Sequence, residues 1–150
     1  MRIHKPYAYV FIGGLIGSLL RYVIFLWVDT IRLGYTNCNY FNSIVLYHLP
    51  LATLLVNLLG SFFLVLASVV LINKLKPNTY SLLTSGLIGS FTTFSTFTKD
   101  LFQLVSGRYL AIALIYLITS LLGGLILAML ANNLGRRLVN VKSNNDRLWR

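Results

Sequence analysis

Four apolar stretches separated by short polar segments dominate the chain. We predict helices over about residues 7–28, 50–72, 80–105 and 109–132. Each is close to the roughly 20 mostly apolar residues that a helix needs to cross the hydrocarbon core of a bilayer. The residues from 133 to 150 are polar and basic, and we predict a frayed tail there. The pattern therefore predicts a single all-α integral membrane domain with four transmembrane helices.

Polar residues interrupt the third predicted helix near its middle. Seven of the ten residues in 89–98 are Gly, Ser or Thr, and the other three are Phe. β-Branched Thr and backbone-bonding Ser weaken a helix locally. A break at membrane depth is tolerated only where it is buried in protein or lines a cavity. We therefore predict two half-helices around a break at about residues 89–96.

Composition and charge agree with a membrane protein. Hydrophobic residues make up 57% of the chain and charged residues 11%, whereas a globular domain carries roughly 25% charged residues. A net charge of +10 would also suit nucleic acid. The cations, however, stand at the ends of the apolar stretches, where anionic lipid headgroups lie. We therefore predict a lipid bilayer, and no nucleic acid, as the partner.

The cations also predict an orientation. Four spans would place both termini on the same side of the membrane, together with nine cations: Arg2, Lys5, Lys74, Lys76, Arg136, Arg137, Lys142, Arg147 and Arg150. The opposite side would carry Arg32 and Arg108, with Lys99 if the third helix ends early. The positive-inside rule then predicts a multi-pass protein of the cell membrane with cytoplasmic N- and C-termini.

The first predicted helix carries a pair of small residues and a charge. Gly13 and Gly17 are four residues apart, a spacing that favours close helix packing in membranes. Arg21 follows one turn later. A charge at that depth faces protein, water or the interface, so two interpretations stay open. Arg21 either extends to the membrane surface or forms a positive vestibule that attracts anions.

Polar side chains recur at helical spacing on the second and fourth predicted helices. Thr53, Asn57 and Ser61 form a stripe, either for hydrogen bonds between helices or for a ligand. Tyr116 and Ser120 share one face of the fourth helix at i, i+4. Hydroxyl and amide donors of this kind replace the hydration water of a small, hard anion.

Two phenylalanines of the third predicted helix could also contact an anion. Phe94 and Phe97 are three residues apart, and the electropositive edge of an aromatic ring can face an anion. Ordinary packing is the alternative for this pair. A helix break also frees carbonyl oxygens that can hold a small cation. A pathway lined by hydroxyl and amide donors, ring edges and one cation would favour an anion, since no carboxylate is predicted along it.

Three segments resemble the signatures of the Fluc (CrcB) fluoride channels. They are residues 13–22, 53–62 and 86–97, the last of which contains Thr-Thr-Phe-Ser-Thr-Phe. The resemblance covers nearly the whole chain and implies passive fluoride export, which lowers cytoplasmic fluoride toxicity, through an antiparallel dimer with two pores. It implies a fluoride pore formed by Asn57, Phe94, Phe97, Ser95, Thr96, Tyr116 and Ser120.

The resemblance also implies roles for three further residues. Arg21 would lie in a vestibule, and the backbone carbonyls of Gly89 and Thr92 would hold a structural Na⁺ at the dimer interface. The chain departs from the family at several positions. The family usually has glycine at positions 52, 65 and 90, a hydroxyl at 124 and Glu at 100, where this chain has Ala52, Val65, Ser90, Gly124 and Asp100.

The unequal charge distribution predicts a particular assembly. An antiparallel homodimer needs each chain to insert in either direction, so its cations should be balanced between the two sides. We therefore predict that this chain is half of a heterodimer with a paralogue of opposite bias.

Two other functions compete with a channel. A small multidrug or cation exporter needs a membrane carboxylate, for which only Asp29 and Asp100 are candidates, and both stand near predicted helix ends. A noncatalytic partner subunit of a heterodimeric channel is the second. An enzyme is not predicted, because the sequence shows no nucleophile–base pair or metal cluster.

Overall fold

The computed structural model describes residues 4–34 and 48–148, with side chains in 7–31 and 48–140. Arg2, Lys5, Arg32, Lys142, Arg147 and Arg150 of the charge count lie outside the described side chains. Within the described part every element is helical, and no strand occurs. The elements are α1 (His4–Gly34), α2 (Leu51–Leu71), α3 (Pro77–Ser81), a π-helical segment (Leu82–Ile88), α4 (Gly89–Phe91), α5 (Phe94–Ser106) and α6 (Leu110–Leu148).

Three of these helices are long and apolar enough to cross a membrane: Tyr7–Ile31, Leu51–Leu71 and Leu110–Asn140. Large apolar side chains are exposed along their outer faces, as expected for surfaces that contact lipid. The prediction of an all-helical, multi-pass membrane protein is confirmed at this level. The third predicted span is a series of shorter helices, from α3 to α5, with a bend at Thr92 and Thr93.

Two helices continue beyond their predicted ends. α1 continues to Gly34, and α6 continues to Leu148 through the residues where we predicted a frayed tail. The prediction of a frayed tail is wrong because polarity does not by itself end a helix. No proline stands between 110 and 148, and Leu, Arg and Lys are good helix formers. With 39 residues, α6 is roughly 58 Å long.

Glycines allow α1 to contact the π-helical segment at backbone distance. A Cβ atom on Gly13 would overlap the carbonyl oxygen of Leu82, and one on Gly17 would overlap the carbonyl oxygen of Leu87. On the opposite side of the contact, a Cβ on Gly86 would lie 2.7 Å from the carbonyl oxygen of Val10. Gly13 and Gly17 thus mark close helix packing, as their spacing predicted.

The buried core lies where α2, α5 and α6 meet. Tyr116 and Val56 are fully buried, and Leu104, Ile112 and Ala113 pack around Tyr116. The same three helices carry most of the polar residues singled out from the sequence. The fold therefore brings these residues to the region where the three helices meet.

Candidate functional site

The bend is a break in the backbone at two residues, Thr92 and Thr93. Both are extended, with ψ of 161° and 115°. The Thr92 N–H still donates to the carbonyl of Ile88, at 3.1 Å, whereas the Thr93 N–H is bonded outside the helix. The break is therefore narrower than the predicted 89–96, because the residues on either side of Thr92 and Thr93 are helical.

Asn57 of α2 supplies both hydrogen bonds that the break removes from Thr93. Its Oδ1 accepts from the Thr93 N–H at 2.9 Å, and its Nδ2 donates to the Thr93 carbonyl at 3.1 Å. Thr93 is only 6% exposed, so these backbone groups would otherwise be buried without partners. One Nδ2 hydrogen of Asn57 takes part in neither bond. Asn57 therefore supports the break and keeps a donor beside it.

Thr93 also forms the N-terminal cap of α5. Its Oγ1 accepts from the Thr96 N–H at 3.2 Å and donates to Thr96 Oγ1 at 2.9 Å. Ser95 Oγ lies 3.3 Å from the same oxygen. We did not assign Thr93 a role from the sequence. A signal exists in the sequence, because Thr is one of the residues favoured at a helix N-cap.

Arg21 connects α1 to the break. Its Nη1 donates to the Thr92 carbonyl at 3.4 Å. The guanidinium thus lies at the C-terminal end of the first half-helix, where the helix dipole favours a cation. The structure places Arg21 beside the candidate site and bonds it to backbone there.

The carbonyls proposed for a sodium ion differ in their surroundings. Gly89 is exposed, and its carbonyl accepts only a 3.3 Å hydrogen bond from Thr92 Oγ1 among the described contacts. Carbonyls at the end of a helix suit a cation, and the Gly89 carbonyl has a second lone pair beside the one that accepts from Thr92, so Gly89 fits. The Thr92 carbonyl fits less well, because it faces the Arg21 guanidinium.

Aromatic rings form a row from the surface to the core. The ring centroids of Phe94 and Phe97 are 6.1 Å apart, and those of Phe97 and Tyr116 are 5.2 Å apart. Phe94 is 80% exposed, whereas Tyr116 is completely buried. The structure therefore brings the two phenylalanines together with Tyr116, from a different helix, in one continuous row.

Two hydroxyls are buried at the inner end of this row. Ser120 Oγ is buried without a hydrogen-bond partner in the part of the chain that the structure describes. Tyr116 Oη is buried beside the Asp100 carboxylate and the Thr53 hydroxyl, with which it interacts without forming a hydrogen bond of full geometry. The two hydroxyls are one helical turn apart on α6. Buried polar atoms are paired in the great majority of cases. Ser120 Oγ is therefore a donor of the kind expected at a site that accepts an anion, and the Tyr116 hydroxyl is a second donor, which the Asp100 carboxylate also attracts.

A carboxylate lies beside the polar stripe of α2. Thr53 Oγ1 donates to Asp100 Oδ2 at 2.6 Å, and Thr53 is buried. The sequence predicts no carboxylate along the ion route and predicts that Asp100 stands near a helix end, whereas the break at Thr92 and Thr93 makes α5 begin at Phe94 and places Asp100 at the middle of this helix. The pairing of Asp100 with Thr53 corrects this. Ser61, the third member of the stripe, donates to the Asn57 carbonyl of its own helix at 2.8 Å.

These features define a helical membrane protein with a broken helix, whose break is supported by side chains of α1 and α2. Residues 8–132 match the family described as CrcB-like protein, Camphor Resistance (CrcB). The chain belongs to this family.

Several curated relatives cover most of both chains. A protein of Bacillus subtilis (strain 168) named Fluoride-specific ion channel FluC 2 is 34% identical over 139 residues, 92% of this chain and 93% of its own. Fluoride-specific ion channel FluC 1 of Bacillus cereus (strain ATCC 14579) is 38% identical over 135 residues, 89% of this chain and 85% of its own. Fluoride-specific ion channel FluC of Leptospira interrogans (strain Fiocruz L1-130) is 35% identical over 127 residues, 83% of this chain and 90% of its own.

Proposed function

We propose that the chain is an ion channel for fluoride, that it is not an enzyme, and that it lets the ion leave the cytoplasm passively. The observation that carries the proposal is the pair of buried donor hydroxyls, Tyr116 and Ser120, at the end of the Phe94–Phe97 row, of which Ser120 has no hydrogen-bond partner in the described part. The names of the curated relatives support fluoride as the ion.

The mechanism follows from the cost of removing water from fluoride. A small anion leaves its hydration shell only where donors replace that water. Ser120 Oγ can donate to an ion without losing a hydrogen bond, and Tyr116 Oη can do so by turning away from the Asp100 carboxylate. The edges of Phe97 and Phe94 continue the route outward, with Ser95 and Thr96 beside them.

Conduction requires that each contact stay weak enough for the ion to leave. The membrane potential, worth about 2.3 kcal/mol per charge per 100 mV, moves an anion out of a negative interior.

The assembly we propose has four spans per chain, with α3 to α5 as the third, in an antiparallel dimer. Phe94, Ser95 and Gly89 are exposed beside the break, and a broken backbone at membrane depth needs protein around it. A second chain packed there would supply that cover. Na⁺ at the dimer interface, held by the Gly89 carbonyl and, with Arg21 turned aside, by that of Thr92, would neutralise the facing helix ends.

The charge bias supports a heterodimer with a paralogue of opposite bias, with the termini of this chain in the cytoplasm. Fluoride efflux from liposomes tests both the function and the assembly, with chloride as the comparison ion. We expect fluoride efflux from liposomes that contain both chains and little from liposomes with this chain alone. Equal permeation of chloride would overturn the fluoride assignment, and full activity of this chain alone would overturn the heterodimer.

Phenylalanine variants test the pore of this chain. Phe94→Ile removes the aromatic ring at the outer end of the row, and we expect fluoride efflux to fall by at least about tenfold, which corresponds to a barrier increase of about 1.4 kcal/mol. Phe102→Ile is the matched control, because Phe102 is 70% exposed on the same helix and lies outside the row. Equal efflux from both variants would mean that the aromatics of this chain do not line a working pore.

A further inference from the structure

An apolar groove lies along the C-terminal half of α2, whereas Thr53 and its partner Asp100 lie at the N-terminal end of that helix. It has a volume of about 500 Å³ and is lined only by apolar side chains, from α1, α2, the π-helical segment, α4 and α6. Phe63 and Leu71 mark its extent along α2, a distance of about 12 Å at 1.5 Å per residue. The hydrocarbon of one leaflet is about 15 Å deep. The groove thus has the length and chemistry to hold part of one acyl chain.

One end of the groove is flanked by cations. Leu71, which lines it, accepts a 3.0 Å hydrogen bond from the backbone N–H of Lys74, and Leu138, which also lines it, directly follows Arg137. Gly135 packs against the side chain of Val69, which brings this part of α6 to the end of α2. Four exposed cations therefore gather at this end: Lys74, Lys76, Arg136 and Arg137.

The charge of the chain decides between possible occupants. No acidic residue stands in 66–76 or 130–140, and the whole chain has only Asp29, Asp100 and Asp146. A second copy of this chain would therefore bring no cluster of carboxylates to pair with the four cations. A phospholipid supplies both an apolar chain and an anionic phosphate.

We propose that the groove binds one acyl chain of an anionic phospholipid, whose headgroup contacts Lys74 and Arg137. The site is separate from the proposed ion route, so its occupancy does not depend on what the protein transports. The bound lipid would fill the space between α1, α2 and the π-helical segment. It would also link the cationic ends of α2 and α6.

Native mass spectrometry of the purified protein in detergent tests this directly, with phosphatidylglycerol and phosphatidylcholine as the probes. We expect the protein to retain one phosphatidylglycerol per chain in preference to phosphatidylcholine. The double variant Lys74→Gln, Arg137→Gln changes no core contact, and we expect it to weaken phosphatidylglycerol binding by roughly thirtyfold, because each cation near an anionic lipid is worth about fivefold. Arg108→Gln, at the other end of α6, is the control and should bind as the wild type does.

A second variant tests the groove itself. Ala67 lines the groove, and Ala67→Trp should reduce lipid retention by at least about tenfold, since excluding two methylenes already changes affinity that much. Ala111→Trp makes the same change on an exposed part of α6 and should retain the lipid. Equal retention of the two lipids by the wild type would overturn the proposal. The proposal would also be overturned if the wild type formed an oligomer without bound lipid and Ala67→Trp dissociated it, because the groove would then be occupied by a protein partner.

Discussion

Replacement of Asn57 by alanine gives the strongest test of the break. The substitution removes the 2.9 Å and 3.1 Å hydrogen bonds to Thr93 and leaves a buried N–H and a buried carbonyl without partners. Each unpaired group costs about 1–3 kcal/mol, so we expect a loss of about 2–6 kcal/mol. For a chain of this size 1 kcal/mol corresponds to about 2–4 °C, and the melting temperature should fall by roughly 4–24 °C.

Two further variants separate the hydrogen bonds from the loss of side-chain volume. Asn57→Asp keeps the acceptor for the Thr93 N–H but places a carboxylate oxygen against the Thr93 carbonyl, and it should be at least as destabilising as alanine. Asn132→Ala is the matched control. Its Oδ1 accepts only an exposed bond from Arg136 Nε among the described contacts, so the change should stay within about 0.5 kcal/mol.

The assay is the thermal unfolding of the purified protein in detergent, combined with fluoride efflux from liposomes that also contain the partner chain if one is needed. We expect Asn57→Ala to lose both stability and efflux, because the two half-helices lose their fixed relation. A melting temperature within about 2 °C of the wild type, which is under 1 kcal/mol on the same scale, would refute the argument that Asn57 supports the break.

Three other predictions follow from single contacts. Tyr116→Phe removes a buried hydroxyl that interacts with Asp100 without forming a hydrogen bond of full geometry, so the melting temperature should change by less than about 4 °C, the equivalent of about 1 kcal/mol. Fluoride efflux should fall by at least about tenfold, because a hydrogen bond to an ion is worth about 1.5–3 kcal/mol. Thr53→Val leaves the Asp100 carboxylate without its 2.6 Å donor. It should destabilise the protein by about 1–3 kcal/mol, and a thermal melt equal to that of the wild type would contradict this. Gly17→Leu introduces a side chain where even a Cβ overlaps the Leu87 carbonyl oxygen; we expect a loss of folded protein on size-exclusion chromatography, while Gly14→Leu, where a Cβ meets nothing within 4 Å, should elute as the wild type does.

The sequence predicts well the elements that depend only on residues close together in the chain. Long apolar stretches predict α1, α2 and α6 because the length needed to cross a bilayer is fixed. The cluster of Ser and Thr predicts the break because these residues weaken a helix wherever they are concentrated. The spacing of Gly13 and Gly17 predicts close packing, since only glycine allows backbones to approach so closely.

The features that the sequence did not predict depend on the partners that the fold provides. The break is confined to Thr92 and Thr93 because Asn57 pairs with Thr93 and allows the helix to resume one residue later. The hydrogen bond between Thr53 and Asp100 joins residues 47 positions apart, and no local pattern reports such a pairing. The continuation of α6 past 132 shows that a loss of hydropathy marks where a helix can leave the bilayer, not where the helix ends.

The pairing of Asn57 with Thr93 has a consequence for which residues the position can accept. A side-chain amide is chemically a peptide group, and Thr93 is extended, so the two form the equivalent of a single rung of a β-ladder inside a helical protein. Aspartate lacks the donor, serine offers one group instead of two, and glutamine carries an additional methylene. Asparagine is the side chain that places both atoms of a peptide group at this distance from α2. Both backbone groups of Thr93 are thus paired, so the change in chain direction between α4 and α5 is fixed by hydrogen bonds, as each helix is.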